Sequence, residues 1–318
     1  MAKCSYNYRR ALVTGGSGFL GRHLIEALIE SGIAVRSIDL NKPRSLDKRV
    51  EFYEGDFTAI KQTEHVLEDC DVIFHLASTT LPKSSNDDIR FDISSNLLGT
   101  IGLLELAAER KVRKFVFVSS GGTVYGVPES IPVSESHPTN PTCSYGIIKL
   151  TVEKYLQMFR RLHGLETISL RLANPYGEYQ RVDRAQGAIA VFCDKALRGE
   201  TIEIWGDGAV VRDYVYVKDA VNAMLKSLEI DYAGNGINIG YGAGTSLDEL
   251  IRYIERALGH HVARHYLPAR DFDVPRIYLD ISLAKTVLGW KPEVDLEHGI
   301  VRLINWLSAT RNSSSGLL

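Results

Sequence analysis

The chain has 318 residues, a formal net charge of −2 and 45% hydrophobic residues. That length exceeds one minimal nucleotide-binding fold and suits such a fold with a second lobe, and the hydrophobic content is ample for a core. The near-neutral charge gives no bulk electrostatic case for a nucleic acid or a membrane as partner. Cys4, Cys70, Cys143 and Cys193 stand far apart with no Cys-x-x-Cys pair, which argues against zinc and against a disulfide framework. No apolar leader opens the sequence and no stretch approaches 18 apolar residues, so a soluble, cytoplasmic protein is expected.

In chain order, Arg10 to Thr14 reads as a short buried strand. From Phe19 an apolar stripe at helical spacing, Leu20, Leu24 and Leu28, runs to a stop at Ser31-Gly32. The turn between them holds Gly15, Gly18 and Gly21. The first glycine permits the tight turn, the second lets backbone approach a pyrophosphate, and the third lets helix and strand pack closely. The helix start offers free N–H groups and its positive dipole to phosphates. Glycine-rich turns also close ordinary loops; here the strand before, the helix after and an acid at Asp39 point to a dinucleotide. Asp39 ends a second strand, Ala34 to Leu40, where a carboxylate accepts from ribose hydroxyls and repels a 2′-phosphate. NAD is therefore expected over NADP, although Arg22, Arg36, Lys42 and Arg44 nearby leave NADP in play.

The alternation continues with strands at Val50–Tyr53 and Val72–Ala77 around a charged helical stretch near Ile60–Leu67. A helix over 89–110, a strand at Lys114–Ser119, a helix at Tyr145–His163 and a strand at Thr167–Ala173 follow. Repeated β-α units imply an α/β fold with a doubly wound parallel (Rossmann) sheet. Beyond Asn174 the rhythm loosens, with turns at Pro175-Tyr176-Gly177, Trp205–Gly208 and Tyr241–Gly244, and a smaller mixed C-terminal lobe is expected. The division reads as 1–174 for the dinucleotide and 175–318 mainly for substrate, with about 211–240 returning to the sheet. The Ser/Gly-rich tail from Arg311 reads as disordered.

Tyr145 and Lys149 form a Tyr-x-x-x-Lys pair on a predicted helix, where four residues place both side chains on one face about 6 Å apart. A second such pair, Tyr214 and Lys218, falls on an alternating segment that reads as a strand and would hold them roughly 13 Å apart. Only the first can act as a unit. A phenol is a poor base at neutral pH, but a nearby ammonium and a positive nicotinamide ring favour the phenolate. Such a phenolate takes a proton from a sugar hydroxyl while hydride leaves for NAD.

With these residues in view the chain resembles the extended short-chain dehydrogenase/reductases, and within them the nucleotide-sugar epimerases similar to UDP-galactose (UDP-glucose) 4-epimerase. The likeness runs from Leu12 to about Trp290. It is carried by TGGSGFLG (14–21), Asp39, EGDF (54–57), HLAS (75–78), NLLGT (96–100), VSSGGTVYG (118–126), YGIIK (145–149), RLANPYG (171–177), VRDYVYVKD (211–219) and RDFDVP (270–275). The resemblance implies that Phe19 and Leu20 lie along the pyrophosphate and that Asp56 and Phe57 meet the adenine. It implies that Leu76, Ala77 and Thr80 border the NAD, that Asn96 helps order a water and the lysine, and that Ala173 faces the nicotinamide. Asn174, Arg212 and Arg270 would contact the nucleotide diphosphate, with Asp273 on the uridine ribose. A homodimer through the helices near 89–110 and 145–163 is a further family expectation.

Two departures from the family pattern matter. Gly121 stands where a Ser or Thr usually meets the sugar hydroxyl, so Thr123 or Ser120 must supply that group; Thr123 is favoured, because Ser120 is better placed to support backbone at the strand end. Gly122-Thr123 replaces the Asp-Glu pair of sugar 4,6-dehydratases, which disfavours dehydration. The sugar itself stays open. Ile277 replaces a bulky Tyr and would leave room for a 2-acetamido group, whereas Gln180-Arg181 resembles a hexuronate epimerase element in which the arginine meets a carboxylate. The reading is an isomerase: an NAD-dependent UDP-sugar 4-epimerase of the UDP-glucose/UDP-galactose type, open to N-acetylated sugars, in carbohydrate metabolism and polysaccharide biosynthesis. A UDP-glucuronate 4-epimerase or decarboxylase is the alternative, and a non-catalytic NAD-binding protein on the same fold is the different-class hypothesis.

Overall fold

The computed structural model describes residues 6–43, 45–59, 64–182, 187–269 and 274–315. The strands are β1 (Arg10–Thr14), β2 (Ala34–Asp39), β3 (Val50–Glu54), β4 (Val72–His75), β5 (Lys114–Ser120), β6 (Glu166–Leu172), β7 (Asn174–Tyr176), β8 (Ile202–Trp205), β9 (Val211–Tyr216), β10 (Ile237–Ile239), β11 (Gly244–Ser246) and β12 (Arg264–Leu267). The helices are α1 (Phe19–Glu30), α2 (Ile89–Asp92), α3 (Gly99–Glu109), α4 (Ser144–His163), α5 (Ala188–Leu197), α6 (Val217–Lys226), α7 (Leu247–Leu258), α8 (Ser282–Val287) and α9 (Leu296–Ser315).

Seven strands form one parallel sheet in the order β10-β6-β5-β4-β1-β2-β3. The period of two sends Ala11 and Val13 to a core with Leu24 and Leu28 of α1 and Met224 of α6. Leu12 goes to the opposite core, with Leu103 and Leu104 of α3 and Leu156 of α4. Helices therefore cover both faces, which is the doubly wound α/β fold expected from the alternation. The chain leaves β1 toward β2 and β3 and returns on β1's other side as β4, so Thr14 stands in register with both Ile38 and His75. A crevice at the carboxyl ends of β1 and β4 is the switch point where such sheets bind ligands. A second lobe carries the sheets β11-β9-β7 and β12-β8, over a core that includes Phe192, Tyr216, Ile251 and Ile300. No helix of the described residues is long and apolar enough to cross a membrane.

Several expectations need correction. The helix over 89–110 is interrupted: a π-helical turn, Ile93–Leu98, separates α2 from α3, and Asp92 and Asn96 hydrogen-bond a neighbouring loop there. Pro175 and Tyr176 belong to β7 rather than a turn. β9 pairs with β7 and β11, so within 211–240 only β10 joins the large sheet. β9 ends at Tyr216, which places Lys218 on α6 rather than on a strand with Tyr214. The tail continues α9 to Ser315, because Ile300, Leu303, Ile304 and Leu307 are buried and Arg311 donates to Asp194 at 2.6 Å. Of the stretch 60–67, a 3₁₀ turn spans Glu64–Leu67 and residues 60–63 lie outside the described residues.

Candidate active site

The glycine turn sits at the switch point. Gly15 has φ +76, and a Cβ there would lie 2.9 Å from the Ala77 amide nitrogen, so the turn packs directly on the loop after β4. Gly18 is the N-cap of α1 with no side-chain cap, and Gly21 lies against the Gly15 carbonyl. Phe19 and Leu20, half-buried, open the helix. An uncapped helix start over a glycine turn is a ready anion site.

Asp39, half-buried at the end of β2, accepts from the Ser17 amide at 3.0 Å and from the Asn41 amide at 3.3 Å. Among the basic neighbours, Arg36 is buried and committed to Glu51 at 2.7 Å. Arg22 donates to the Ser17 carbonyl at 3.2 Å and lies over the Tyr179 ring. Lys42 is exposed, and Arg44 lies outside the described residues. Asp56 is exposed and accepts from the Thr58 amide at 2.9 Å; Phe57 is buried with its edge against His75.

His75 organises the crevice floor. Its ring nitrogens meet Thr14 Oγ1 at 2.7 Å and Thr100 Oγ1 at 2.8 Å, while burial holds its pKa down at about 3. Thr100 donates to the Asn96 carbonyl, so the ring is neutral with its proton on Nε2, and Thr14 donates to Nδ1. Thr14 Oγ1 in turn accepts from the Ala77 amide at 3.3 Å, fixing the loop that carries half-buried Leu76 and Ala77. Asn96 holds the continuation of that loop: its side chain accepts from the Thr79 amide and donates to Thr79, Thr80 and Asp92. A cavity of about 10 Å³, room for about one water, lies among His75, Asn96, Tyr145 and Lys149.

Tyr145 and Lys149 share one face of α4. The Lys149 ammonium donates to the Val118 carbonyl at 2.8 Å and lies 4.6 Å from the Phe117 ring centre and 5.4 Å from that of Tyr145. Burial lowers the Lys149 pKa to about 8, opposed by Asp92 and Glu153. Burial also pushes the Tyr145 phenol well above its ordinary value, with Cys143 and Asp92 adding to the rise. These are the values of the protein alone; the lowering expected for the phenol belongs to the site with the positive nicotinamide ring beside it.

On the substrate side, Gly121 has no room for a side chain: a Cβ would meet Leu279 at 2.5 Å and the Arg171 carbonyl at 2.9 Å. Thr123 is next to Gly146, and its buried Oγ1 has no hydrogen-bond partner among the described residues. Ser120, at the end of β5, uses its carbonyl to accept from the Thr123 and Val124 amides. Ala173 is buried and its amide donates to Ile239. Asn174 donates to the Asp213 carbonyl at 2.9 Å, and Arg212 to the Val274 carbonyl at 2.6 Å. Arg181 is exposed. Arg270 and Asp273 lie outside the described residues. Ile277 is buried in the main core.

A family model described as the NAD dependent epimerase/dehydratase family matches residues 11–240. The chain belongs to that family. Its cofactor is NAD, and by class it is a nucleotide-sugar epimerase, an isomerase. The UDP-glucose 4-epimerase of Mycolicibacterium smegmatis is 38% identical over 96% of this chain and 99% of that protein. The crystal structure of Thermotoga maritima UDP-glucose 4-epimerase with UDP-glucose superimposes with a TM-score of 0.90, at 36% identity over 95% of this chain and 99% of that one. Thermus thermophilus UDP-glucose 4-epimerase in complex with NAD gives 0.86, at 32% identity over 94% and 99%.

Further buried charged groups that the sequence reading does not single out stand near the Tyr145–Lys149 pair. Buried Asp92 accepts from Thr80, Asn96 and Ser144. Its position one helical turn before Asn96 was the available signal. Arg171, embedded in the motif at 171–177, pairs with Glu153 at 2.7 Å in the core, and Glu153 stands one turn after Lys149.

Proposed function

We propose that the protein is a UDP-sugar 4-epimerase in which Tyr145 moves the proton of the sugar's O4. The observation that carries this reading is the placement of Tyr145, with Lys149 at its ring, at the switch-point crevice that also holds the uncapped glycine turn and Asp39. The cradle fits NAD: it has an anion-binding helix start, the glycines that a close approach needs, and a ribose acceptor. Bound NAD supplies a hydride acceptor and donor for C4. Tyr145 removes the O4 proton, and returns it once the sugar has turned to present its other face. Lys149 places positive charge beside the phenol. The unpartnered Thr123 hydroxyl takes the role that the missing serine at 121 would play, ahead of Ser120.

In the same reading Phe19 and Leu20 lie along the pyrophosphate, Asp56 and Phe57 border the adenine, and Leu76, Ala77, Thr80, Asn96 and Ala173 line the path to the nicotinamide. Asn174 and Arg212, with Arg270 and Asp273, hold the nucleotide while the sugar turns, and arginine's fork suits a diphosphate. Residues 1–174 form the cofactor unit and 175–318 mainly the substrate unit. The exposed Ile89, Phe91, Leu98 and Ile147 favour a homodimer through α2, α3 and α4.

The sugar is read as neutral or N-acetylated, because Arg181 is exposed in this structure. The test is a panel of UDP-galactose, UDP-N-acetylgalactosamine and UDP-galacturonate, run on wild type and Arg181→Leu. Conversion of UDP-galactose that the substitution leaves nearly level is expected. A charge-assisted bond to a carboxylate is worth about 1.5–3 kcal/mol, so a hexuronate enzyme would instead lose roughly 10- to 150-fold on UDP-galacturonate alone. That outcome would move the assignment to a UDP-glucuronate 4-epimerase or decarboxylase.

A further inference from the structure

We infer that Asp92 is a positioning residue of the Tyr145–Lys149 pair: its carboxylate latches the start of α4 to the cofactor-bordering loop and keeps a negative charge beside Lys149. The inference rests on the reading of that pair as the proton-moving unit. Asp92 is fully buried at the end of α2. Its Oδ1 accepts from Thr80 Oγ1 at 2.6 Å and from Asn96 Nδ2 at 2.7 Å, and its Oδ2 accepts from Ser144 Oγ at 2.6 Å. All three of these partners among the described residues are donors, so the carboxylate oxygens accept throughout.

The three donors lie on three segments. Thr80 is in the loop after β4, Asn96 is in the π-helical turn, and Ser144 is the first residue of α4. The same loop caps α4 from outside, since Asn86 Oδ1 accepts from the Ser144 amide at 2.9 Å and Ser85 Oγ from the Tyr145 amide at 3.1 Å. No side chain at the Cys143 N-cap does this work. Helix start, loop and π turn thus meet at one carboxylate, and Tyr145 is the residue next to the latch.

The charge acts on Lys149. That ammonium is enclosed, and the groups facing it are neutral His75 on β4, Tyr145 and Glu153 on its own helix, and Asp92 across the cavity. Glu153 is already bound to Arg171 and Ser119, so Asp92 is the carboxylate without a cationic hydrogen-bond partner among those named. Removing its charge makes the buried ammonium easier to deprotonate.

The test follows Lys149 in the purified full-length protein by its ¹³Cε shift against pH, assigned with Lys149→Arg, in wild type and Asp92→Asn. The amide keeps the size and one acceptor but drops the charge. The expected midpoint in Asp92→Asn is lower by about one unit or more. An unmoved midpoint overturns the inference. Turnover of UDP-galactose by Tyr145→Phe separates the two readings: near-wild-type turnover defeats the role of the pair itself, whatever the Lys149 titration shows. If Asp92→Asn does not fold, Ser144→Ala carries the test, because it keeps the carboxylate and removes only the helix latch. It is expected to lower kcat about tenfold with KM and bound NAD unchanged, and Ser144→Thr is expected to restore it. An unchanged kcat in Ser144→Ala would contradict the latch.

Discussion

At the residue scale, the missing serine shows what a sequence can and cannot say. The absence at 121 is visible in the letters, but its cause is not. Leu279 and the Arg171 carbonyl, far away in the chain, occupy the space a side chain would need. The hydroxyl that remains is Thr123, buried and unpartnered, close to the backbone of the residue after Tyr145. Leaving a buried hydroxyl unpaired costs about 1–3 kcal/mol, and a bound sugar hydroxyl would recover it. Thr123→Val keeps the shape and removes that partner. Steady-state assays on UDP-galactose should show it cutting turnover much more than NAD binding, with Ser120→Ala doing less. The reverse ranking would transfer the role to Ser120. Spacing along a helix likewise shows that Lys149 is near Tyr145, but not that both groups are deeply buried in the protein alone.

At the element scale, strands and helices with strong periodicity were legible and anchored ones were not. β1, β2 and α1 follow from alternating or stripe-like apolar residues around glycines. The π turn and the capping of α4 depend on side chains that reach across segments, and no local pattern reveals them. The same holds for the pair that fastens α4 to β6. Arg171 and Glu153 are each almost fully buried, and Arg171 also donates to the Tyr125 hydroxyl, which donates to Asn238 on β10. Removing one partner of such a pair leaves an uncompensated charge in the core. Arg171→Met should therefore cost about 3–5 kcal/mol in urea unfolding, and adding Glu153→Gln should recover part of it. A loss below about 1 kcal/mol, the range of an exposed pair, would show that the pair is not a structural tie.

At the scale of the whole molecule, the repeated β-α rhythm of the first half specifies the parallel sheet and its switch point, because each strand must bury both faces. The second lobe resisted because β7, β10 and β11 have three residues each, too short to carry a period. The glycine turn and His75 stand at the sheet's switch-point crevice, and Asn174 and Arg212 lie on strands of the smaller sheet β11-β9-β7. The central claim is that this crevice oxidises and re-reduces one sugar carbon without releasing the hydride. The direct measurement is the fate of deuterium in UDP-galactose labelled at C4, converted by the purified enzyme and read by mass spectrometry and NMR of the product. The account predicts UDP-glucose that retains the deuterium at C4, with no solvent hydrogen incorporated there. Product whose C4 hydrogen has come from solvent would mean proton abstraction from carbon instead, and would contradict it.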